Sequence, residues 1–225
     1  ESAVASADFV YFLAFDVGGS TYLAKYQETF PFIQNNMKLM ANTFELLERY
    51  KKPFIFASSQ MSNMSFSPYG LLKAIGERYT TALNGLTVKF WNVYGVEHDP
   101  EKTHVITDFL AMAKKERKIA MRTTGEEERQ FLYSEDCAEC LVSLAQRYAD
   151  VARNSELHIT NFEWTTISNV ARVVAELFPG TQIVPGTKKD AVQSGVRNEP
   201  NPFILNFWKP KTSLRDGIKI IADRT

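Results

Sequence analysis

The sequence lacks an excess of either charge, and it lacks a long apolar run. Its 26 Lys and Arg residues equal its 26 Asp and Glu residues, so we expect no one-signed field of the kind that binds a nucleic-acid backbone. The longest early apolar run, residues 9–15, is too short to span a bilayer, and no basic region or small-residue cleavage site flanks it. These absences predict a soluble cytoplasmic protein that binds neither nucleic acid nor membrane.

Cysteine and histidine are also scarce. The two cysteines, Cys137 and Cys140, form a CxxC pair inside a segment with a helical pattern, which favours reduced structural thiols over a redox loop. His98 lies in a charged turn and His158 on a predicted strand, and neither has neighbours spaced as metal ligands. We therefore expect no metal site.

The sequence does contain alternating strand and helix patterns. With 44% apolar residues over 225 positions, the chain can bury a full core in one or two closely packed domains. Apolar runs predict strands at residues 9–15, 54–57 and 87–91, and apolar residues at three- and four-residue intervals predict helices at 32–50 and 68–83. This order predicts an α/β fold with a parallel sheet, in which ligands bind beyond the carboxyl ends of the strands.

The rest of the chain alternates less regularly. Thr165 or Thr166 is available to cap one of the predicted helices. We predict helices at residues 105–118, 136–148, 168–178 and 213–222, and strands near Phe131 and at 157–160 and 181–184.

One predicted helix carries side chains suited to proton transfer. Tyr69 and Lys73 are four residues apart and therefore share a helix face, and Ser59 follows the strand before that helix. A neighbouring ammonium favours the phenolate form of a tyrosine, so Lys73 would prepare Tyr69 for acid/base work while Ser59 holds the substrate oxygen. The same YxxxK spacing also arises by chance, with a surface tyrosine and a solvated lysine.

Further motifs accompany this one in a fixed order: ADFVYFLAF, NNMKLMANTFELLE, FIFASS, SPYGLLKAIGE, KFWNVYG, ERQFLYSEDCAECL and FWKPKTSLRDGIK. On these segments the sequence resembles the extended short-chain dehydrogenase/reductases that act on nucleotide sugars. The resemblance implies a Rossmann-like parallel sheet and a smaller C-terminal α/β substrate-binding domain. It implies that residues 1–95 form a partial dinucleotide-binding domain, and that residues 96–225 mainly bind the nucleotide sugar, with some segments returning to the main sheet.

The resemblance also implies roles for individual residues. Ser59, Tyr69 and Lys73 match the catalytic triad, and Tyr69 and Lys73 would also contact the cofactor, NAD or NADP. Ala14 and Asn36 match positions that line this cofactor.

Three polar residues match positions near the substrate, a nucleotide-diphosphate sugar. Gln60 and Asn92 match substrate contacts. His104 matches a histidine of members that resemble GDP-fucose synthase. Three interpretations of His104 stay open: a proton donor to a sugar carbon, a hydrogen-bonding group for the substrate, or a helix N-terminal histidine without a chemical role.

Two arginines match residues that grip the nucleotide's phosphates, for which a planar guanidinium is well suited. They are Arg129 and Arg197. The alternative is a surface ion pair, with Glu126 or Glu128 for the first arginine and with Glu199 for the second.

Two departures from the family narrow the reaction. Dehydratase members carry an Asp–Glu pair after the catalytic hydroxyl, but Gln60 and Met61 stand there in this sequence and cannot shuttle protons, so dehydration is disfavoured.

No GxxGxxG turn occurs, although such a turn should cradle the phosphates of the cofactor. The sequence is therefore expected to begin near the family's fourth strand, either because residues before Glu1 are not included or because that half-site has been lost.

The matches predict an NAD(P)-dependent nucleotide-sugar epimerase that acts by transient oxidation at a sugar carbinol, most simply at C4. An NAD(P)H-dependent reductase of a 4-keto nucleotide sugar needs the same triad and is the alternative. A non-catalytic nucleotide-sugar-binding remnant is a second alternative if the protein lacks the glycine turn. We expect a cytoplasmic homodimer.

Overall fold

The computed structural model describes residues 1–190 and 198–225. The first part of the chain alternates strands and helices as the apolar pattern predicts. Its elements are α1 (Ser2–Ser6), β1 (Val10–Phe12), α2 (Ser20–Tyr26), α3 (Phe30–Tyr50), β2 (Phe54–Ser59), α4 (Pro68–Ala82), β3 (Leu86–Phe90) and β4 (Asn92–Tyr94).

The second part contains shorter strands between its helices. Two 3₁₀ turns, Gln60–Asn63 and Pro202–Asn206, complete the described secondary structure. The elements are α5 (Val105–Glu116), β5 (Lys118–Ala120), β6 (Glu128–Arg129), β7 (Phe131–Tyr133), α6 (Ser134–Gln146), β8 (Leu157–Ile159), β9 (Thr165–Thr166), α7 (Ile167–Leu177), β10 (Gln182–Val184) and α8 (Leu214–Arg224).

The predicted helices are confirmed to within two residues at each end, and the predicted strands are confirmed with shorter or longer bounds. The helix predicted to reach residue 118 ends two residues earlier, at Glu116, because Arg117 adopts a left-handed conformation and the chain then enters β5. Thr166, rather than Thr165, caps α7 by accepting a hydrogen bond from the Asn169 amide at 3.1 Å. The helices α1 and α2 and the strands β4, β5, β6 and β9 were not predicted.

The main sheet is fully parallel, with strand order β1-β2-β3-β8. The predicted α/β class is therefore confirmed. Strand β8 comes from the second part of the chain and pairs with β3, opposite Val88, Lys89 and Phe90. The division into two domains at residue 95 remains a prediction.

Helices cover both faces of this sheet. Because successive side chains of a strand point in opposite directions, neighbouring residues of β2 contact different helices. Phe54 and Phe56 of β2 pack with Phe44 of α3 and Leu72 of α4. Ile55, between them, packs on the other face with Leu144 of α6. Burial on both sides explains the uninterrupted apolar sequence of β2.

A second apolar cluster joins α5, α7 and α8 around β5. Ile106 of α5, Ile119 of β5, Val170 and Val174 of α7, and Ile218 of α8 are fully or almost fully buried in it. Strand β5 pairs with β10, β4 with β7, and β6 with β9. In the described ranges, no helix is long and apolar enough to cross a membrane.

Helix α4 lies very close to β2 because one of its residues has no side chain. A Cβ atom on Gly76 would lie 2.3 Å from the Phe56 ring. That ring is fully buried, with its centroid 5.3 Å from the Phe12 ring and 5.6 Å from the Phe44 ring. It therefore has little room to move.

Replacing Gly76 with Ala should destabilise the fold. Alanine favours a helix over glycine by about 1 kcal/mol, but the clash with Phe56 should outweigh this gain and leave a net loss of about 1–3 kcal/mol in the free energy of unfolding. Urea unfolding of the wild type and the variant measures the change.

The control is the same substitution with Phe56 replaced by Leu, which removes the ring that the new methyl group meets. Gly76→Ala should cost less in that background than in the wild type, because the two sites are in contact. A Gly76→Ala variant that is as stable as the wild type would contradict the close packing of α4 on β2.

Candidate active site

The structure brings the predicted triad together at the carboxyl end of β2. Ser59 is the last residue of that strand, and Tyr69 and Lys73 lie on the first two turns of α4. The helix approaches closely because Gly70 has no side chain. A Cβ at this position would lie 2.3 Å from the Met61 carbonyl oxygen. The Ser59 hydroxyl lies close enough to the Tyr69 phenol to lower the pKa of that phenol, and the Ser59 oxygen accepts a hydrogen bond from the Met61 amide at 3.1 Å.

Lys73 is buried beside this pair, with 4% of the residue exposed. Its Nζ atom donates a hydrogen bond to the Ala57 carbonyl oxygen at 2.6 Å. The same atom lies 3.8 Å from the Phe15 ring centroid and 5.8 Å from the Tyr69 ring centroid. A backbone carbonyl and an aromatic face therefore stabilise the ammonium in an apolar environment.

Burial controls the pKa values of both side chains. It raises the pKa of Tyr69 to about 12, although the Ser59 hydrogen bond acts in the opposite direction. It lowers the pKa of Lys73 to about 7, although the negative charge of Glu77 raises it. The sequence predicted that the lysine charge would lower the phenol pKa; in the structure desolvation has the larger effect on each group.

Asn36 is engaged entirely with the protein. Its Nδ2 donates to the carbonyl oxygens of Asp16 and Phe32, each at 3.1 Å, and its Oδ1 accepts from the Asp16 amide at 2.8 Å. These bonds hold the segment after β1, which carries Ala14 and Phe15. Asn36 thus shapes the segment that contacts Lys73, and Ala14 is exposed on it.

The two predicted substrate contacts also have partners. The side-chain oxygen and the backbone oxygen of Gln60 accept from Asn198 Nδ2 at 2.6 and 2.7 Å. Asn92 Nδ2 donates to the Gln130 carbonyl oxygen at 2.9 Å. Asn92 therefore lies where β4 meets the residue before β7.

His104 stands directly before the first residue of α5 and interacts with Glu97. The Glu97 carboxylate contacts the His104 ring Nδ1 and accepts from the His104 amide at 2.9 Å, and Thr107 also donates to it. Burial raises the pKa of Glu97, but the hydrogen bonds from His104 and Thr107 outweigh it, so the pKa lies below its ordinary value. The helix-terminal position is observed, and the two chemical roles of His104 remain predictions.

The first predicted phosphate-binding arginine forms an ion pair. Arg129 pairs with the Asp190 carboxylate and donates to the Glu128 carbonyl oxygen at 2.7 Å. Its side chain is 14% exposed. The second, Arg197, lies outside the described residues.

The cysteines are buried in the core on α6. Both Cys137 and Cys140 are free thiols, and burial raises the pKa of each, to about 12 for Cys137. In the part of the chain that the structure describes, no three His, Cys, Asp or Glu side chains are grouped so that they could hold a metal ion.

Replacing Lys73 with Met should change how stability depends on pH. The pKa of Lys73 is about 7 in the folded chain, against 10.5 for an ordinary lysine, so the unfolded chain binds more protons between these values. The wild type should therefore gain up to about 1.4 kcal/mol of unfolding free energy per pH unit in this window. The variant lacks this gain, and urea unfolding at about pH 7, 8 and 9 measures the difference.

The matched control is Lys51→Met, at the exposed residue that follows α3. This control should follow the pH dependence of the wild type. Parallel stability curves for the wild type and Lys73→Met would show that Lys73 is not a buried, desolvated amine.

Known proteins share sequence and fold with this chain. A family model described as "NAD dependent epimerase/dehydratase family" matches residues 1–160. A putative UDP-glucose 4-epimerase of Methanocaldococcus jannaschii is 26% identical over 166 residues, which is 70% of this chain and 52% of that protein. GDP-L-fucose synthase 1 of Arabidopsis thaliana is 29% identical over 141 residues, which is 59% of this chain and 42% of that protein.

A solved epimerase structure from Methanothermobacter thermautotrophicus superposes on 99% of this chain and 75% of its own, with a TM-score of 0.84 and 17% identity. That likeness confirms the Rossmann-like fold. The chain spans about half the length of the curated relatives it matches. With the family model matching most of its length, the chain belongs to the NAD dependent epimerase/dehydratase family.

Proposed function

We propose that this protein is an NAD(P)-dependent nucleotide-sugar epimerase that acts by transient oxidation of a sugar carbinol, most simply at C4. The observation that carries the proposal is the meeting of Ser59, Tyr69 and Lys73 at the carboxyl end of β2. Ligands of parallel α/β sheets bind at such ends. The family match and the names of the two curated relatives support a nucleotide-sugar substrate.

The donor set at this end of β2 fits the nicotinamide half of the cofactor. A phenol, a hydroxyl and an ammonium lie together beside aromatic rings, so they can hold ribose hydroxyls and a sugar carbinol in an apolar site. Tyr69 and Lys73 would contact the cofactor. A bound oxidised nicotinamide would supply the hydride acceptor, and its positive charge would further favour the Tyr69 phenolate.

Each side chain of the triad then has a distinct task. Tyr69 removes the carbinol proton and later returns it, so one residue serves both half-reactions. Ser59 would hold the carbinol oxygen in line through its hydroxyl, which lies close enough to the phenol to lower its pKa. Lys73 in its charged form lowers the cost of the phenolate.

The substrate's diphosphate would bind at Arg129. The guanidinium already holds one anionic oxygen, that of Asp190, and phosphate oxygens are acceptors of the same kind. Arg197, Gln60 and Asn92 complete the predicted contacts. The proposal includes a homodimer, which the exposed apolar side chains of α3 and α4, Ile33, Met37, Leu71 and Ile75, support.

Tyr69→Phe should abolish turnover while leaving the fold intact, because only the phenol oxygen is removed. Loss of a positioned proton donor costs about 10²–10⁴-fold in rate. Epimerisation of UDP- and GDP-sugars, together with the unfolding midpoint, tests both parts.

The control is Tyr79→Phe, an exposed tyrosine on the same helix. Its turnover should equal that of the wild type. A Tyr69→Phe enzyme that keeps more than about a tenth of the wild-type rate would remove Tyr69 from the mechanism.

Arg129→Ala should weaken nucleotide binding by about 1.5–3 kcal/mol, the range for a hydrogen bond to a charged group. Calorimetric titration with UDP and with GDP measures the dissociation constants. Arg172→Ala, at an exposed arginine of α7, is the control and should bind like the wild type. Equal affinity of Arg129→Ala and wild type for both nucleotides would reject the phosphate role.

A further inference from the structure

A row of polar side chains crosses the main sheet beneath α4. Ser58 of β2 is the register partner of Lys89 of β3, and Lys89 is the register partner of His158 of β8. Ser58 and His158 are buried. Polar groups in such a position destabilise the fold unless they find partners.

One carboxylate on α4 reaches this row. Ser58 Oγ donates to Glu77 Oε1 at 2.5 Å, and Lys89 Nζ lies 3.9 Å from the same oxygen. Lys89 lies closer to a second carboxylate, that of Glu156, at 3.2 Å. Lys89 therefore contacts two carboxylates, and the charge of Glu77 also acts on Lys73.

Lys73 of the candidate active site lies on the same helix as Glu77. The two residues are one helical turn apart on α4 and share a face. In the described ranges, Glu77 is the only ionisable group whose charge shifts the pKa of Lys73. It raises that pKa, whereas burial, which has the larger effect, lowers it.

Among the residues that the structure describes, the other elements packed around Lys73 bring no second anion whose charge acts on its pKa. The segment after β1 contributes the Phe15 ring, and the carboxylate beside it, Asp16, is bound by Tyr22 and Lys102. From α4 comes the Tyr69 phenol, and β2 contributes the Ala57 carbonyl oxygen.

At the other end of the row, His158 interacts with a different carboxylate, that of Glu156. His158 Nε2 lies 3.1 Å from Glu156 Oε1, and its Nδ1 accepts from Trp91 Nε1 at 3.2 Å. Burial lowers the pKa of His158, which the Glu156 contact opposes. Lys89 is the cation that faces Glu77 from β3, and Glu156 draws it away.

We propose that Glu77 is a positioning residue that keeps Lys73 charged and, through Lys73, controls how readily Tyr69 exchanges a proton. Ser58 holds the Glu77 carboxylate in place through its hydroxyl. The first step, control of the Lys73 charge, is independent of the reaction. The second step rests on the proposed function.

The test is the titration of Lys73 in the folded chain, followed by NMR of ¹³C-labelled lysine side chains and assigned with Lys73→Met. Glu77→Gln keeps the size of the side chain and its acceptor for Ser58 but removes the charge. It should lower the pKa of Lys73 by about one unit or more, a tenfold or larger rise in its acid dissociation constant. Glu77→Asp, which keeps the charge, should lower it less.

The matched control is Glu139→Gln, which removes an exposed carboxylate of α6 that pairs with Lys211. It should leave the titration of Lys73 within about 0.3 units of the wild type, because α6 packs on the opposite face of the sheet from α4. An unchanged Lys73 pKa in Glu77→Gln overturns the proposal. If Glu77→Gln does not fold, Ser58→Ala takes its place: it should lower the pKa by a smaller amount, and no change would overturn the proposal equally.

The pH profile of turnover separates the two steps. A charged Lys73 is the active form, so activity falls as pH rises through its pKa, and Glu77→Gln should move this limb to lower pH by the shift that NMR measures. A shifted titration with an unmoved limb overturns the control of Tyr69. If Glu77→Gln shifts the titration of Lys73 but the wild type does not turn over nucleotide sugars, the control of the Lys73 charge is upheld and the proposed function is rejected.

Discussion

The close packing of α4 on β2 determines both the stability and the chemistry of this chain. Gly70 and Gly76 have no side chains where the helix meets the Met61 carbonyl and the Phe56 ring, and this allows the helix to lie directly against the strand. The same contact places Tyr69 and Lys73 beside Ser59. It also places Glu77 within hydrogen-bond reach of Ser58. The core and the candidate active site are therefore one packing arrangement.

Burial in this arrangement has a cost that the polar contacts offset in part. Desolvation raises the pKa of Tyr69 and lowers the pKa of Lys73, so it favours the neutral form of each side chain. The Ala57 carbonyl, the Phe15 ring and the Glu77 charge act in the opposite direction for the lysine. A lysine whose pKa lies near neutral pH is sensitive to small changes in its surroundings, which suits a group that adjusts the acidity of its neighbour.

The sequence predicted the elements whose apolar residues repeat over many positions. Helices α3 and α4 and strand β2 were placed correctly because two-sided burial and amphipathic spacing leave a clear periodic pattern. The strands β4, β5, β6 and β9 contain two or three residues and lie outside the apolar segments from which the other short strands were predicted. Their pairing depends on partners that are distant in sequence, such as Asn92 with Phe131.

The candidate site was predicted to a similar degree. The spacing of Tyr69 and Lys73 and the position of Ser59 suggested that three side chains lie together, and the ordered motifs around them, more than the spacing, supported that prediction. The ion pair of Arg129 with Asp190 and the bonds of Asn36 to Asp16 join residues 61 and 20 positions apart, so only the folded chain reveals them. Glu77 had a visible signal, since it stands one helical turn after Lys73 in SPYGLLKAIGE, but its bond to Ser58 gives that spacing its meaning.

Helix α4 buries Lys73 against β2, and this burial brings the pKa of Lys73 close to neutral pH. Direct NMR titration of Lys73 in the wild-type chain tests this claim without reference to any substrate. The account predicts a pKa of about 7. A pKa near the ordinary lysine value of 10.5 would contradict it, because the ammonium would then be as well solvated as a surface lysine.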